Sequence, residues 1–466
     1  MSVAIQSATQ NINTSSRAFL VGVALSTLAL VGLLGALGIS LIPFALVCAA
    51  ALTFWLAFRY PMSGLGGFLA FIPVYTLAFL VAKFFGPRYL GSLEGIDRVV
   101  LLLFTCILWY RNRVRLTLPD KFLLVCFGLA LLRLAFSGTV LGFLTDFNFL
   151  IAYAAGRVTV LNSEREQVWA KRAVWIIAVI SVLGMIEVFY IGEAPRTVLY
   201  LAVANGGTSG QTLDAAFHAN EYSGLRESAT MFGPLQFAPL CMAALVIWWV
   251  YSRKPLPGMM IAAGLVCSVT RSAWLGTAVA VVVLAIAMNQ TKRLIKYGAI
   301  ALVMIIIAIP LLGLTDYLLS TKAGEDPSSQ SHQESLLGGM KYVVTHPLGT
   351  GPGSVGKFAV KQDENAAGIE DTYLTLAAQY GLLSLFCFVG FLASAALLLW
   401  RAPSQRSYVG VGILAGFSTV MMFAALHDVF PLACWLWFPV GLGIRSISEA
   451  QNGNNSTPIF SPARNT

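Results

Sequence analysis

The chain alternates long apolar runs with short polar breaks. Stretches such as VGVALSTLALVGLLGAL are apolar on every face of a helix, and a run of about 20 such residues crosses a bilayer core. A transmembrane β-barrel would instead show short segments alternating apolar and polar positions. The pattern therefore predicts an all-α, polytopic integral membrane helix bundle. Spans are expected near 18–39, 41–58, 64–82, 98–110, 121–137, 142–157, 173–191, 231–251, 257–270, 273–290, 297–315, 373–400, 407–426 and 429–445. Several are short, and the pairs at 18–58 and 257–290 could each be merged or re-entrant, so the count is about 12–14 transmembrane helices. Residues 1–17 are a polar cytoplasmic tail without a cleavable-signal pattern. Residues 18–445 form a single transmembrane helical domain, and 446–466, rich in Asn, Ser and Pro, read as a disordered cytoplasmic tail.

Composition agrees with this reading. Of 466 residues, 57% are hydrophobic and 11% charged, and the mean hydropathy of +0.76 excludes a soluble globular protein. The net charge of +9 would suit a nucleic-acid partner only if it were gathered on one domain. Here it is scattered in short clusters between apolar runs, which excludes nucleic acid and reports orientation instead. With the N-terminus in the cytoplasm, Arg59, Arg111/Arg113/Arg115, Arg157 to Arg172, Arg253/Lys254, Lys292/Arg293/Lys296 and Arg401/Arg406 all fall inside. The loop at 83–97 dissents weakly, since Glu94 and Asp97 balance Lys83 and Arg88. Two long segments, 192–230 and 316–372, fall outside, and long loops in a bundle of short connections are where function sits.

The seven cysteines, Cys48, Cys106, Cys126, Cys241, Cys267, Cys387 and Cys434, lie in apolar runs without CxxC spacing, which suits packing rather than a disulfide framework or a zinc site. There is no internal repeat and no GxxxxGK[ST] loop, so nothing points to ATP hydrolysis. No cofactor and no metal are called for.

A few polar residues on the outer side stand out. Arg271 in SVTRSAWLG lies between two apolar runs with little loop to shelter it. Arginine keeps its charge, so at that depth it either snorkels to the headgroups or faces a cavity that holds an anion such as a lipid phosphate. Arg226, in GLRESATMFGP, is either a solvated loop arginine or a second such cation. His332 and His346 lie in the 316–372 loop. Glu370 and Asp371 precede a span, where carboxylates serve as general bases or as an N-cap and first-turn acids. Gly351, Gly353 and Gly356 spell GxGxxG, but no strand precedes them and Pro352 interrupts. They are expected to shape a tight segment whose N–H groups approach a ligand or a helix. His427 and Asp428, between the last two spans, are interfacial or line the site.

Taken together, TRSAWLG at 270–276, HPLGTGPGSVG at 346–356 and EDTYLTLAAQYGLLSL at 370–385 resemble the O-antigen ligase and polymerase superfamily. The similarity covers roughly residues 220–445, and the first half matches only as a generic multi-span bundle. The resemblance implies a metal-independent, inverting glycosyltransferase with a large periplasmic loop between late spans. Such an enzyme moves a glycan from undecaprenyl diphosphate to a sugar hydroxyl. It implies the bacterial inner membrane, an active site facing the periplasm, and Arg226 and Arg271 as the diphosphate clamp. Substrate contacts would extend to His332, Tyr373, Gly351 and Gly353. Ligases of the family carry a His-Asn pair where this chain has Glu370-Asp371. The exopolysaccharide polymerase branch is therefore favoured, with Glu370 or His332 as the base.

Arginine forks can hold the departing diphosphate without a metal, and the absence of a DxD motif fits. The leading function is polymerisation of undecaprenyl-diphosphate-linked repeat units, the acceptor being the next lipid-linked repeat. Membrane lipid and a chain-length regulator are further partners to consider. The alternatives are an O-antigen ligase acting on lipid A core and, in another class, a transporter or flippase. A transporter would be expected to show two related halves and midplane charges, which the sequence does not.

Overall fold

The computed structural model describes residues 52–55, 57–74, 95–192, 229–231, 233–252, 254–311, 327–356, 359, 367–427 and 429–453. Arg226, Asp428, Cys48, the span near 18–39, most of that near 41–58, most of the 192–230 loop and both expected tails apart from 446–453 lie outside these residues. The chain divides into two compact units, 1–60 and 61–466. In the first, the described residues are helical at 52–55 and 57–59 and hold a tilted Phe54–Phe58 ring pair at 4.7 Å.

The second unit is a helix bundle, and among the described residues there is no strand. Its helices are α1 (Pro61–Phe71), α2 (Ile96–Arg111), α3 (Leu118–Phe136), α4 (Val140–Asp146), α5 (Phe149–Val158) and α6 (Ser163–Ile186). They continue with α7 (Pro234–Tyr251), α8 (Pro255–Cys267), α9 (Arg271–Ala287), α10 (Thr291–Leu311) and α11 (Pro327–Thr345). Last come α12 (Thr372–Tyr380), α13 (Leu382–Trp400), α14 (Gln405–Val420) and α15 (Phe430–Gly453). Four helices are long and apolar enough to cross a membrane: Ser163–Ile191, Pro234–Tyr251, Leu382–Trp400 and Phe430–Glu449. Pro61–Val74, Phe149–Val158, Pro255–Cys267 and Arg271–Ala287 are shorter and apolar. The chain is a polytopic helical membrane protein.

Each element carries its local reason. α7 is apolar all round and buried from Phe237 to Val250, as a central helix should be. α3, α7 and α8 each begin with proline in the first turn, where its missing N–H costs no helical bond. Leu383 and Phe386 of α13 point out of the bundle, an apolar surface suited to lipid. Where helices cross closely, small residues allow it. A Cβ on Gly156 of α5 would lie 2.2 Å from Phe438 O of α15, and one on Gly441 would lie 2.2 Å from Tyr153 O. Gly276 of α9 and Gly416 of α14 face each other the same way, each 2.7 Å from the other's carbonyl. Such backbone contact is the usual glue where lipid supplies no hydrophobic drive between helices.

Three expected spans are realised differently. The 142–157 span is two helices, broken at Phe147–Asn148, and the 373–400 span is two helices meeting at Gly381 (φ +88). In the segment read as the 316–372 loop, residues 327–345 are helical. The last helix continues to Gly453 rather than stopping near 445. The turn at 268–270 keeps α8 and α9 as separate helices.

The basic loops gather at one end of the bundle. Arg157 Nη2 donates to Arg115 O, Arg445 Nη1 to Arg113 O, Arg406 to Leu161 O, and Arg293 Nη2 to Ser252 O. Beneath them Arg157 is buried against Asp120 at 2.8 Å. Asp120 also accepts from Tyr153 and closes the capping box of α3 through Thr117. The opposite end carries the 346–356 loop and the start of α12.

Replacing Gly441 with Leu drives a side chain into the α5 backbone. It is expected to cost at least 1–3 kcal/mol, the usual size of an overpacking penalty, seen as a lowered melting temperature in detergent. Gly128, whose Cβ would touch nothing, is the matched control: Gly128→Ala is expected to leave melting unchanged or raise it.

Candidate functional site

At the end of the bundle opposite the basic loops, α11 brings His332 to the segment that leads into α12. His332 Nδ1 lies 2.7 Å from Glu370 Oε2, with both side chains half exposed. Ser335, one turn beyond His332, sets the approach: its hydroxyl accepts from the Glu370 N–H and donates to Gly368 O, both at 3.1 Å. Further along, a Cβ on Gly339 would come within 3.0 Å of Leu374, so the missing side chain lets α11 lie against α12. The two residues expected as alternative bases are thus partners. A carboxylate on Nδ1 holds the imidazole in one orientation and favours the tautomer with the proton on Nδ1, which leaves Nε2 the basic nitrogen.

The neighbouring acid does something else. Asp371 is the N-cap of α12, its Oδ1 accepting from the Leu374 N–H at 2.8 Å. Burial raises its carboxyl above the ordinary carboxylate range, opposed by the hydrogen bonds from the Leu374 and Tyr373 N–H groups. The N-cap role expected for Glu370-Asp371 therefore belongs to Asp371, while Glu370 faces His332. Thr372 anchors the helix to the break after α14, its N–H bonding Met421 O and its hydroxyl Ala424 O. Tyr373 donates its hydroxyl to Ser418 O at 3.0 Å, so that oxygen holds α12 on α14.

Arg271 is the first residue of α9. Because Gly276 packs on Gly416 and Val420 of α14, Arg271 stands at the same end as Thr372 and Tyr373. The turn before it is strained: Val269 has φ +47, a region a β-branched residue adopts at a cost on the order of 1–3 kcal/mol. Ser268 and Thr270, both buried, bond back onto that turn, and the Trp274 indole donates to Leu265 O. The cation is therefore held at a defined point.

Gly351 and Gly353 take up protein rather than open space. Gly351 has φ +106, and a Cβ there would lie 2.7 Å from Ser137 O. Gly353 N–H donates to Gln379 Oε1, and Gly142 of α4 packs on its backbone. His346 stacks on Tyr342 at 4.6 Å, away from Glu370. His427 is buried 3.9 Å from Asp146, whose other oxygen accepts from Tyr380.

One cation at this end escaped the sequence reading. Arg133, in the last turn of α3, donates to Gly349 O, and its buried Nε has no acceptor among the described residues. The signal was present: RLAFSG continues an apolar run, the same anomaly that singles out Arg271.

Residues 256–389 match the family model described as O-Antigen ligase. That stretch, under half of the chain, supports the resemblance to the O-antigen ligase and polymerase superfamily. The matched stretch holds Arg271, His332, Gly351, Gly353, Glu370 and Tyr373, which is to say the face just described. Members of this family are glycosyltransferase-like membrane enzymes with lipid-linked glycan substrates. Among curated proteins, none matches the chain.

Asp371→Asn keeps a good cap without the charge, whereas Asp371→Ala loses about 1 kcal/mol of capping. With the folded pKa raised, the stability Asp371 contributes is present at low pH and lost as pH rises through that pKa. Melting curves against pH are expected to show the alanine variant less stable, and the asparagine variant to lack this part of the loss on the alkaline side.

Proposed function

We propose that this protein transfers a glycan from a lipid diphosphate carrier to a sugar hydroxyl, and that it is a polymerase of undecaprenyl-diphosphate-linked repeat units. The observation that carries the reading is the His332–Glu370 pair at 2.7 Å, inside the family match and on the same face as Arg271. His332 Nε2 takes the acceptor hydroxyl proton, and Glu370 orients the ring and steadies the imidazolium that forms. The acceptor oxygen attacks the anomeric carbon as the bond to the diphosphate oxygen breaks, so configuration inverts in one displacement. Arg271, with Arg226, holds the departing diphosphate, which needs no protonation and no metal when guanidinium forks neutralise it. Tyr373, Gly351 and Gly353 shape the wall of this site through their backbone and hydroxyl bonds.

The family description favours one second reading, a ligase that passes the glycan to lipid A core. Glu370-Asp371 in place of the ligase-type His-Asn pair supports polymerisation. The bundle is read as lying in the inner membrane, the basic end in the cytoplasm with both termini and the His332 end in the periplasm, on the positive-inside distribution. Whether a chain-length regulator binds is part of the same reading of a polymerase.

The test uses purified full-length protein in nanodiscs with a synthetic lipid-diphosphate-linked repeat, without metal or nucleotide. Longer lipid-linked glycans are the expected product. His332→Ala is expected to lose 10²–10⁴-fold in rate, roughly the worth of a general base. Arg271→Ala should lose on the order of 10²–10³-fold, as for removal of a preorganised charge-stabilising donor. Glu370→Gln should fall less than His332→Ala. Full activity in Arg271→Ala removes the clamp, an active His332→Ala with a dead Glu370→Gln reverses the base assignment, and product only with lipid A core makes the protein a ligase.

A further inference from the structure

The end of the bundle away from His332 contains a cavity of about 330 Å³, within the range of small-molecule sites. It lies among α1, α6, α7, α14 and α15. Its long axis follows the helices: on α6 it runs from Glu166 to Ile176, about 15 Å at helical rise. Small residues make the room, namely Gly67 and Ala70 of α1 with Ala170 and Ala173 of α6, while Gly66 packs on Trp169. A Cβ on Gly67 would meet nothing within 4 Å. The cavity is distant from the outer site, since Arg406 in its floor and Ser418, which bonds Tyr373, are separated by about 18 Å along α14.

Its polarity is graded. The floor is a closed network in which Arg406 Nε bonds Glu166 Oε2 at 2.5 Å and Tyr251 donates to the other oxygen. These charges satisfy one another. Arg172, exposed at the side of the cavity, has no carboxylate within ion-pair distance among the described residues, and Lys171 and Arg165 are close in sequence. Along the wall, Trp435 offers apolar ring surface, its Nε1–H lying beneath the surface. Ile176, Ile247 and Cys434 continue the wall as apolar surface. A ligand that completes this place has an apolar chain for the slot and an anion for Arg172.

We infer that the cavity binds an anionic glycerophospholipid of the adjoining leaflet, one acyl chain in the slot and the phosphodiester at Arg172. The site neither needs nor contacts the His332–Glu370 pair. A basic membrane face attracts anionic lipid electrostatically, and the slot adds a seat for the chain.

The experiment places the full-length protein in phosphatidylcholine nanodiscs with a trace of phosphatidylglycerol that carries a photoreactive group in its acyl chain. Cross-linked peptides are mapped by mass spectrometry. Labelling is expected to concentrate on α6 and α15, to be competed by phosphatidylglycerol better than by phosphatidylcholine, and to fall several-fold in Gly67→Leu and in Ala173→Phe. Arg172→Gln should weaken that competition about tenfold, the loss of one charge-assisted bond. Melting temperatures show which variants fold, and Arg172→Gln, on the surface, tests the anion even if Ala173→Phe does not fold. Labelling spread evenly around the apolar belt, or unchanged in Gly67→Leu and Arg172→Gln, overturns the proposal. Stronger competition by a polyprenyl phosphate than by phosphatidylglycerol overturns the choice of lipid.

Discussion

A broken span must find partners for the backbone groups that the break sets free, because an apolar surround offers none. Everything at the His332 end depends on how that demand is met between the 346–356 loop and the junction of α12 with α13. Leu382 N–H bonds Pro347 O, Thr350 N–H bonds Ala378 O, and Gly351 N–H bonds Gln379 O, each at 2.9 Å. The same loop is tied on its other side to the corner after α3, through Thr139 N–H to Pro352 O and Ser137 to Thr350 O. The loop thus works as a clasp between two interrupted spans. α11 is held at its C-terminal end by this clasp and at its N-terminal end by Ser335, and that double anchorage is what carries His332 to Glu370.

The opposite end meets its electrostatic demand by pairing. Asp120 with Arg157, and Glu166 with Arg406, place buried charges in contact with opposite charges and backbone carbonyls. Removing one partner of such a pair strands the other, which is where its structural weight lies. The other end carries Arg271 and Arg133 at helix ends beside a strained turn and a glycine loop, together with the half-exposed His332–Glu370 pair.

Some of the site was legible residue by residue. Arg271 was conspicuous because arginine in an apolar run demands an explanation, and Glu370 because it precedes a span. Their relation to His332 was not legible, since Glu370 lies thirty-eight positions after His332 and the pattern over 327–345 is weakly amphipathic and carries Gly338-Gly339, which disfavour a helix. The split between Glu370 and Asp371 was equally hidden: both precede the helix, and only the backbone direction at Thr372 decides which one caps it. Arg133 meets the same criterion as Arg271, an arginine carried within an apolar run.

The sequence by itself determined that this is a helical membrane protein, where most of its apolar segments lie, and, through three short motifs, which family its later part resembles. These follow from local properties, hydropathy over a helix length and residue order, that need no knowledge of neighbours. Tertiary structure alone decided that two spans are broken, that Gly351 and Gly353 accommodate protein backbone, that His332 meets Glu370, and that small residues on α1 and α6 leave a slot at the far end. Each of these depends on which distant backbone arrives to take a free hydrogen bond or to fill the space beside a missing side chain, and no pattern along a single helix records that.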